Sequence, residues 1–203
     1  IRMVRGVRWG PRLESLHLRV MPVGVGEHRL LPRGRRRALA EALLGEPDFL
    51  QRVVQASVKT KAEIVTADMR EQDWRMILNF GHTFGHAVER ITGYRRFLHG
   101  EAVLLGMEMA VQLSRSVGKL SGEEAVRVSR PLARLPLPPV KGIRPRAVCR
   151  AMTADKKKRA GKINYILLDK IGYALPRTGI SRADLAASIR AVLQRRSSGL
   201  SAS

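Results

Sequence analysis

The stretch from Glu101 to Val117 constrains this chain more than any other, being rich in Leu, Met, Val and Ala and stopping at Gly118. A helix of that make-up needs a core around it, and 44% hydrophobic residues over 203 positions are enough to bury one. The neighbouring sequence reads mostly as further helices. Ala38 to Leu44 forms a short one ended by Gly45. Pro47 then opens a longer helix with Leu50, Val53, Val54, Val58 and Ala62 on one face. Leu78 to Ile91 carries small and apolar residues at helical spacing and closes near Gly93. Ser121 with Glu124 three positions later is a capping box. Leu132 to Val140, broken by Pro136, Pro138 and Pro139, is a connector, and Pro145 starts a helix running through Met152. Ile163 to Leu168 reads as a short strand with Gly172 in the turn after it. Ser181 caps a final helix bearing Leu185, Ile189 and Val192, and Arg195 to Ser203 reads as a polar tail. The expected fold class is mainly α, multi-helical, with a short β-hairpin.

Charge is spread unevenly. The chain has 38 Lys and Arg against 17 Asp and Glu, a net charge of +21 that draws a protein toward polyanions. Ten arginines and only two acids, Glu14 and Glu27, fall within the first 40 residues, and no lysine appears before Lys59. Glycine and proline interrupt every apolar run there, and neither helical nor strand period is sustained. Interleaved aromatics and nucleic-acid motifs are missing. Residues 1–37 therefore read as an irregular Arg-rich flank, of the kind a GC-rich frame yields when read out of phase, rather than as a nucleic-acid arm. A single cysteine, Cys149, excludes an intramolecular disulfide framework and a Cys-rich zinc finger. No apolar run approaches the roughly 20 residues of a bilayer span, and no signal segment opens the chain. The expectation is a cytoplasmic protein with no membrane and no specific nucleic-acid partner. Its first residue is Ile1, so an internal piece of a longer protein is expected.

The chemistry concentrates between Lys61 and Glu101. His82 and His86 lie four apart, on one face of a helix. Gly81 and Gly85 precede them and let a ligand or another backbone come close. His99 sits where the next helix begins. A lone histidine is more often a satisfied polar residue than a ligand. Three within 18 positions, in a chain with five, favour a site. Catalytic divalent metals typically take three protein ligands and leave one position open. Lys61, Arg75, Lys156, Lys157 and Lys158 are candidates to hold phosphate or carboxylate groups. Asn79 is either a helix cap or a polar site residue.

The segment Arg75-Met-Ile-Leu-Asn-Phe-Gly-His-Thr-Phe-Gly-His-Ala-Val-Glu89, followed by Leu98-His-Gly-Glu-Ala102, resembles the signature of the 3-dehydroquinate synthase family. Lys61-Ala-Glu-Ile-Val65 with Asp68 resembles that family's preceding segment. Met152-Thr-Ala-Asp-Lys-Lys157, Gly161, Ile166-Leu-Leu168 and Ile171-Gly172 resemble its late Asp-Lys-Lys and hairpin region. The likeness covers roughly residues 40–195 and marks 38–195 as the family's C-terminal helical domain, with 1–37 outside the pattern and 196–203 as a tail. It implies an NAD-dependent, zinc- or cobalt-dependent lyase of the shikimate pathway, taking 3-deoxy-arabino-heptulosonate 7-phosphate to 3-dehydroquinate and phosphate. Transient oxidation at the ring carbon C5 acidifies the neighbouring proton and permits phosphate elimination; reduction, ring opening and aldol closure follow. By this resemblance His82 and His99 match the metal ligands. His86 and Asn79 match residues near the substrate phosphate, and Lys61 and Arg75 those around its carboxylate and hydroxyls. Lys156 matches the phosphate-binding lysine. Lys61, Arg75 and His86 are thus the expected catalytic residues, while Asp155 and Glu101 match motif positions with structural roles. A homodimer is implied for the complete enzyme.

Two family features have no counterpart here. The third metal ligand is a glutamate in an Ala-Glu-Val-Ile-Lys-like segment, which residues 1–37 do not contain, and Glu41 in Ala40-Glu41-Ala42-Leu43 stands only 20 positions before Lys61. The nucleotide-binding domain with its glycine-rich phosphate loop is also missing, so NAD would be held mainly by that domain. The expectation is a C-terminal fragment that is inactive alone. Two other readings stand beside it: a sister sugar-phosphate cyclase such as 2-deoxy-scyllo-inosose synthase, and a non-catalytic basic binding remnant.

Overall fold

The computed structural model describes residues 47–67, 75–158 and 163–198. The chain divides into two compact units at Met69/Arg70. The expected helix from Ala38 to Leu44, and every reading placed on residues 1–37, lie outside the described residues.

In the first unit, helix α1 runs Pro47–Ala67, opening at the expected proline. Ile64 is buried. Val54 and Val58, by contrast, are 57% and 62% exposed, and Ala62 is exposed too. The predicted apolar face is real as a pattern, yet no core covers it at these positions. The side chains of Leu50 and Val53 are outside the described set.

The second unit starts with a 3-10 turn, Arg75–Asn79, and continues with α2 (His82–Ile91), α3 (His99–Val117), α4 (Gly122–Arg134) and α5 (Pro145–Lys158). Strands β1 (Tyr165–Lys170) and β2 (Tyr173–Arg177) form an antiparallel hairpin, and α6 (Arg182–Ser197) closes the order. Mainly helical with one hairpin is what the sequence pattern predicts. Helix α3 sits at the centre and packs against α2, α4, α6 and β1. Ten of its residues are buried, among them Leu105, Met109 and Leu113, which accounts for the apolar residues around so much of its circumference. Phe84 and Val88 of α2, Val148 of α5, Leu167 of β1 and Ile189 and Val192 of α6 complete the core.

Several boundaries differ from expectation: α4 runs to Arg134, into the stretch read as a connector from Leu132, and β1 is Tyr165–Lys170 rather than Ile163–Leu168. The helix read over Leu78–Ile91 is interrupted at Gly81, whose φ of +83° no right-handed helix accommodates, so the 3-10 turn and α2 are separate pieces. Helix α5 continues six residues past Met152, to Lys158. Helix α6 continues through Arg195 and Arg196, read from sequence as the start of a polar tail, because both side chains pair with the fully buried Glu108 of α3.

Polar side chains join the hairpin to the helices. The buried Ser114 hydroxyl donates to Ala110 O at 2.7 Å and accepts from Leu168 N–H at 2.9 Å. Glu124 completes the capping box with Ser121, and its other oxygen accepts from Ile171 N–H at 3.0 Å, in the hairpin turn. That backbone donor is the main cause of a Glu124 carboxyl held below its ordinary value of 4.5. A carboxylate favoured in the folded state stabilises fully above the unfolded value, and this stabilisation fades as pH falls through the lowered folded one. Glu124→Gln should therefore flatten the stability profile below about pH 4.5, measured as melting temperature against pH. An unchanged acid slope would refute the assignment.

Candidate metal and anion site

The site is built on α2 and the start of α3. His82 is the first residue of α2 and His99 the first of α3; the two helices run antiparallel, with Gly81 beside Gly106 in the middle of α3 and Glu89, near the end of α2, beside His99. No side chain caps either terminus: the N-cap of α2 is Gly81 and that of α3 is Leu98. Glu101 turns back to accept from Leu98 N–H at 2.8 Å, the structural role expected for it. Thr83 donates to Asn164 O at 3.2 Å, which ties the start of α2 to the residue before β1.

Glycines set how closely the two helices approach. A Cβ on Gly106 of α3 would stand 2.1 Å from Gly81 O and 2.7 Å from Gly85 N. One on Gly85 would stand 2.9 Å from Val103 Cα, and one on Gly81 would meet Met107 and Val103 O within 2.8 Å. Backbone therefore lies against backbone, and the glycine beside each histidine of the motif serves the partner helix rather than a ligand.

That approach brings the three histidines together. Ring centroids are 5.6 Å apart for His82 and His86, 5.5 Å for His82 and His99, and 5.6 Å for His86 and His99. His82 is half-buried, while His86 and His99 are exposed, so the cluster opens to solvent. Burial is the main cause of a lowered His82 pKa, with smaller contributions from His86 and His99. His82 thus stays in the neutral form that binds metals. Its Nδ1 lies 3.4 Å from Phe80 O, and the Nδ1 of His99 lies 3.2 Å from Glu89 Oε1. In both rings Nδ1 faces an oxygen acceptor, which leaves Nε2 as the nitrogen available to a ligand. Ligand atoms of His86, Glu89 and His99 also lie within 4.8 Å of one another. A solvent-open cluster of imidazole nitrogens offers the donor type that suits zinc or cobalt.

The other predicted site residues are placed as follows. Arg75 and Asn79 begin and end the 3-10 turn that leads through Phe80 and Gly81 into α2, Arg75 half-buried and Asn79 exposed. Lys61 is an exposed residue of α1, in the other unit. Lys156 lies on α5, with its side chain outside the described residues, as is that of Asp155. Sequence reasoning overlooked Glu89 as a site residue. The available signal was a glutamate on the small and apolar face of α2, three positions after His86.

The family description "3-dehydroquinate synthase C-terminal" matches residues 29–158, beginning inside the Arg-rich stretch read as outside the pattern. The 3-dehydroquinate synthase of Solibacter usitatus is 39% identical over 155 residues, 76% of this chain and 43% of that protein. That of Nitrosococcus oceani is 43% identical over 155 residues, 74% of this chain and 42% of that protein. The chain thus spans about two-fifths of the length of these curated relatives. Among solved structures, ValA (2-epi-5-epi-valiolone synthase) of Streptomyces hygroscopicus subsp. jinggangensis, with NAD+ and Zn2+ bound, superposes with a TM-score of 0.65. Identity there is 27%, covering 90% of this chain and 51% of that one. A 2-deoxy-scyllo-inosose synthase complexed with carbaglucose-6-phosphate, NAD+ and Co2+ shares the fold at a TM-score of 0.60 and 16% identity, covering 88% of this chain and 51% of that one.

Proposed function

The chain belongs to the 3-dehydroquinate synthase family, whose C-terminal part it matches, and on that premise we propose that it carries the metal- and phosphate-binding side of such an enzyme. The reaction is conversion of 3-deoxy-arabino-heptulosonate 7-phosphate to 3-dehydroquinate and phosphate. The observation that carries the reading is the convergence of the His82, His86 and His99 rings, all within 5.6 Å of one another.

His82 and His99 hold the divalent metal through Nε2, both rings being oriented by the acceptors on Nδ1. When bound, the metal polarises the substrate hydroxyls. His86, exposed beside them, hydrogen-bonds a phosphate oxygen together with Asn79. Arg75 supplies a planar fork for the substrate carboxylate. The nucleotide-binding part of the enzyme is the partner that brings NAD, and the complete enzyme assembles as a homodimer.

The likeness to ValA, a 2-epi-5-epi-valiolone synthase, favours a second reading, a sister sugar-phosphate cyclase. No described helix is long and apolar enough to cross a membrane.

Calorimetric titration of the 203-residue chain tests the proposal. Native chain should bind Zn2+ or Co2+, and His82→Ala and His99→Ala should each abolish that binding while His86→Ala keeps it. Heptulosonate 7-phosphate should then bind the metal-loaded chain, with weaker binding in Arg75→Met. Equal binding of glucose 6-phosphate, unaffected by Arg75→Met, would favour the sister cyclase; metal binding that survives both histidine replacements would overturn the proposal. The chain alone is expected to release no phosphate from the substrate with added NAD, and sustained release would contradict its assignment as part of the machinery.

A further inference from the structure

We infer that Glu89 is a positioning residue for His99: its carboxylate takes the Nδ1 proton and fixes the ring with Nε2 directed at the histidine cluster. The inference rests on His99 being a metal ligand, as proposed above.

Glu89 lies near the C-terminal end of α2 and His99 opens α3, ten residues later. Both carboxylate oxygens face one ring nitrogen, at 3.2 and 3.3 Å from His99 Nδ1. The environments are unequal, because the Glu89 side chain is 11% exposed and that of His99 58%. A buried carboxylate needs donors, since its charge has little water to turn to. An exposed imidazole on a helix's first residue would otherwise sample several rotamers and both tautomers. The pair therefore acts in one direction, with the anchored group setting the mobile one. Glu89 is itself held by its backbone: its carbonyl accepts from Tyr94 N–H at 2.8 Å and from the Thr92 hydroxyl at 3.2 Å. A metal-binding histidine ordinarily donates its second N–H to such an acceptor, which fixes the tautomer and raises the basicity of the coordinating nitrogen.

The competing possibility is that Glu89 is itself a ligand, since its oxygens fall within 4.8 Å of ligand atoms of His86 and His99. Two measurements separate these. In the metal-free 203-residue chain, long-range 1H–15N NMR at alkaline pH should find the His99 proton on Nδ1. Glu89→Gln, which keeps an oxygen acceptor, should retain that form, and Glu89→Ala should lose it. A native His99 protonated on Nε2 would overturn the inference whatever the metal does.

Cobalt titration by visible absorption supplies the second measurement. Glu89→Ala should weaken Co2+ binding by about 10–100-fold, the range for removing such an acceptor, and Glu89→Gln by less. Unchanged affinity in Glu89→Ala, or loss in Glu89→Gln as complete as in His99→Ala, would overturn it. Should the native chain bind no cobalt, the metal reading fails and the NMR result alone decides whether Glu89 orients the ring. Thermal melts report folding of each variant, and if Glu89→Ala does not fold, the native spectrum and Glu89→Gln still decide the outcome.

Discussion

Arg196→Ala should lower the unfolding free energy by about 3–5 kcal/mol, the scale for stripping a partner from a buried ion pair. Glu108 lies in the middle of α3 with no exposed surface. Arg195 donates to one of its oxygens at 2.8 Å, and Arg196 donates to the other from Nε at 2.9 Å and from Nη2. The same Arg196 guanidinium donates to the carbonyls of Leu132, Ala133 and Leu135, so it also braces the C-terminal end of α4. Losing it leaves a buried carboxylate with a single partner and removes a donor from three carbonyls, of which Leu132 O keeps the Leu135 N–H. Removing the acid instead is milder, because the Arg195 and Arg196 side chains keep 24% and 14% exposure and can turn toward water. Denaturant midpoints of Arg196→Ala and Glu108→Leu should therefore differ, with the arginine variant less stable. The reverse order would refute this account of how α6 is held.

Gly106→Ala should damage both the fold and the site. Its new methyl would stand 2.1 Å from Gly81 O, a distance that only separation of α2 from α3 relieves. Overpacking of this kind costs about 1–3 kcal/mol, and more where backbone must move. Since His82 starts one helix and His99 the other, separation also widens the 5.5 Å between their rings. We expect a lower melting temperature together with weaker Co2+ binding. Gly100→Ala is the control: it lies beside His99, and a Cβ there meets nothing within 4 Å. If Gly106→Ala melts and binds cobalt as the native chain does, the close helix contact is not what aligns the histidines.

Much of the architecture is legible residue by residue. Ser121 and Ser181 cap α4 and α6, Pro47 and Pro145 open α1 and α5, and Leu185, Ile189 and Val192 are buried as their spacing predicts. These signals are local, acting within a turn or two of the residue that carries them. Boundaries failed where a distant contact decides. The signals for α6 fade at Arg195, and only Glu108, some ninety residues earlier, shows why the helix continues. Gly81 sits inside a run with helical spacing, and nothing local marks its positive φ or its close contact with Val103 and Met107 of α3.

For the site, the chain itself specified the donor chemistry: three imidazoles within 18 positions, among glycines and cationic residues. Spacing put His82 and His86 on one face, because an α-helix repeats every 3.6 residues. It said nothing on whether His99 would face them, since the connection after Ile91 could have led elsewhere. Tertiary structure decided that, by seating backbone on backbone at Gly81, Gly85 and Gly106. It alone also paired Glu89 with His99 and Glu108 with two arginines, because a carboxylate's partner is whatever charge packing leaves within reach once water is gone.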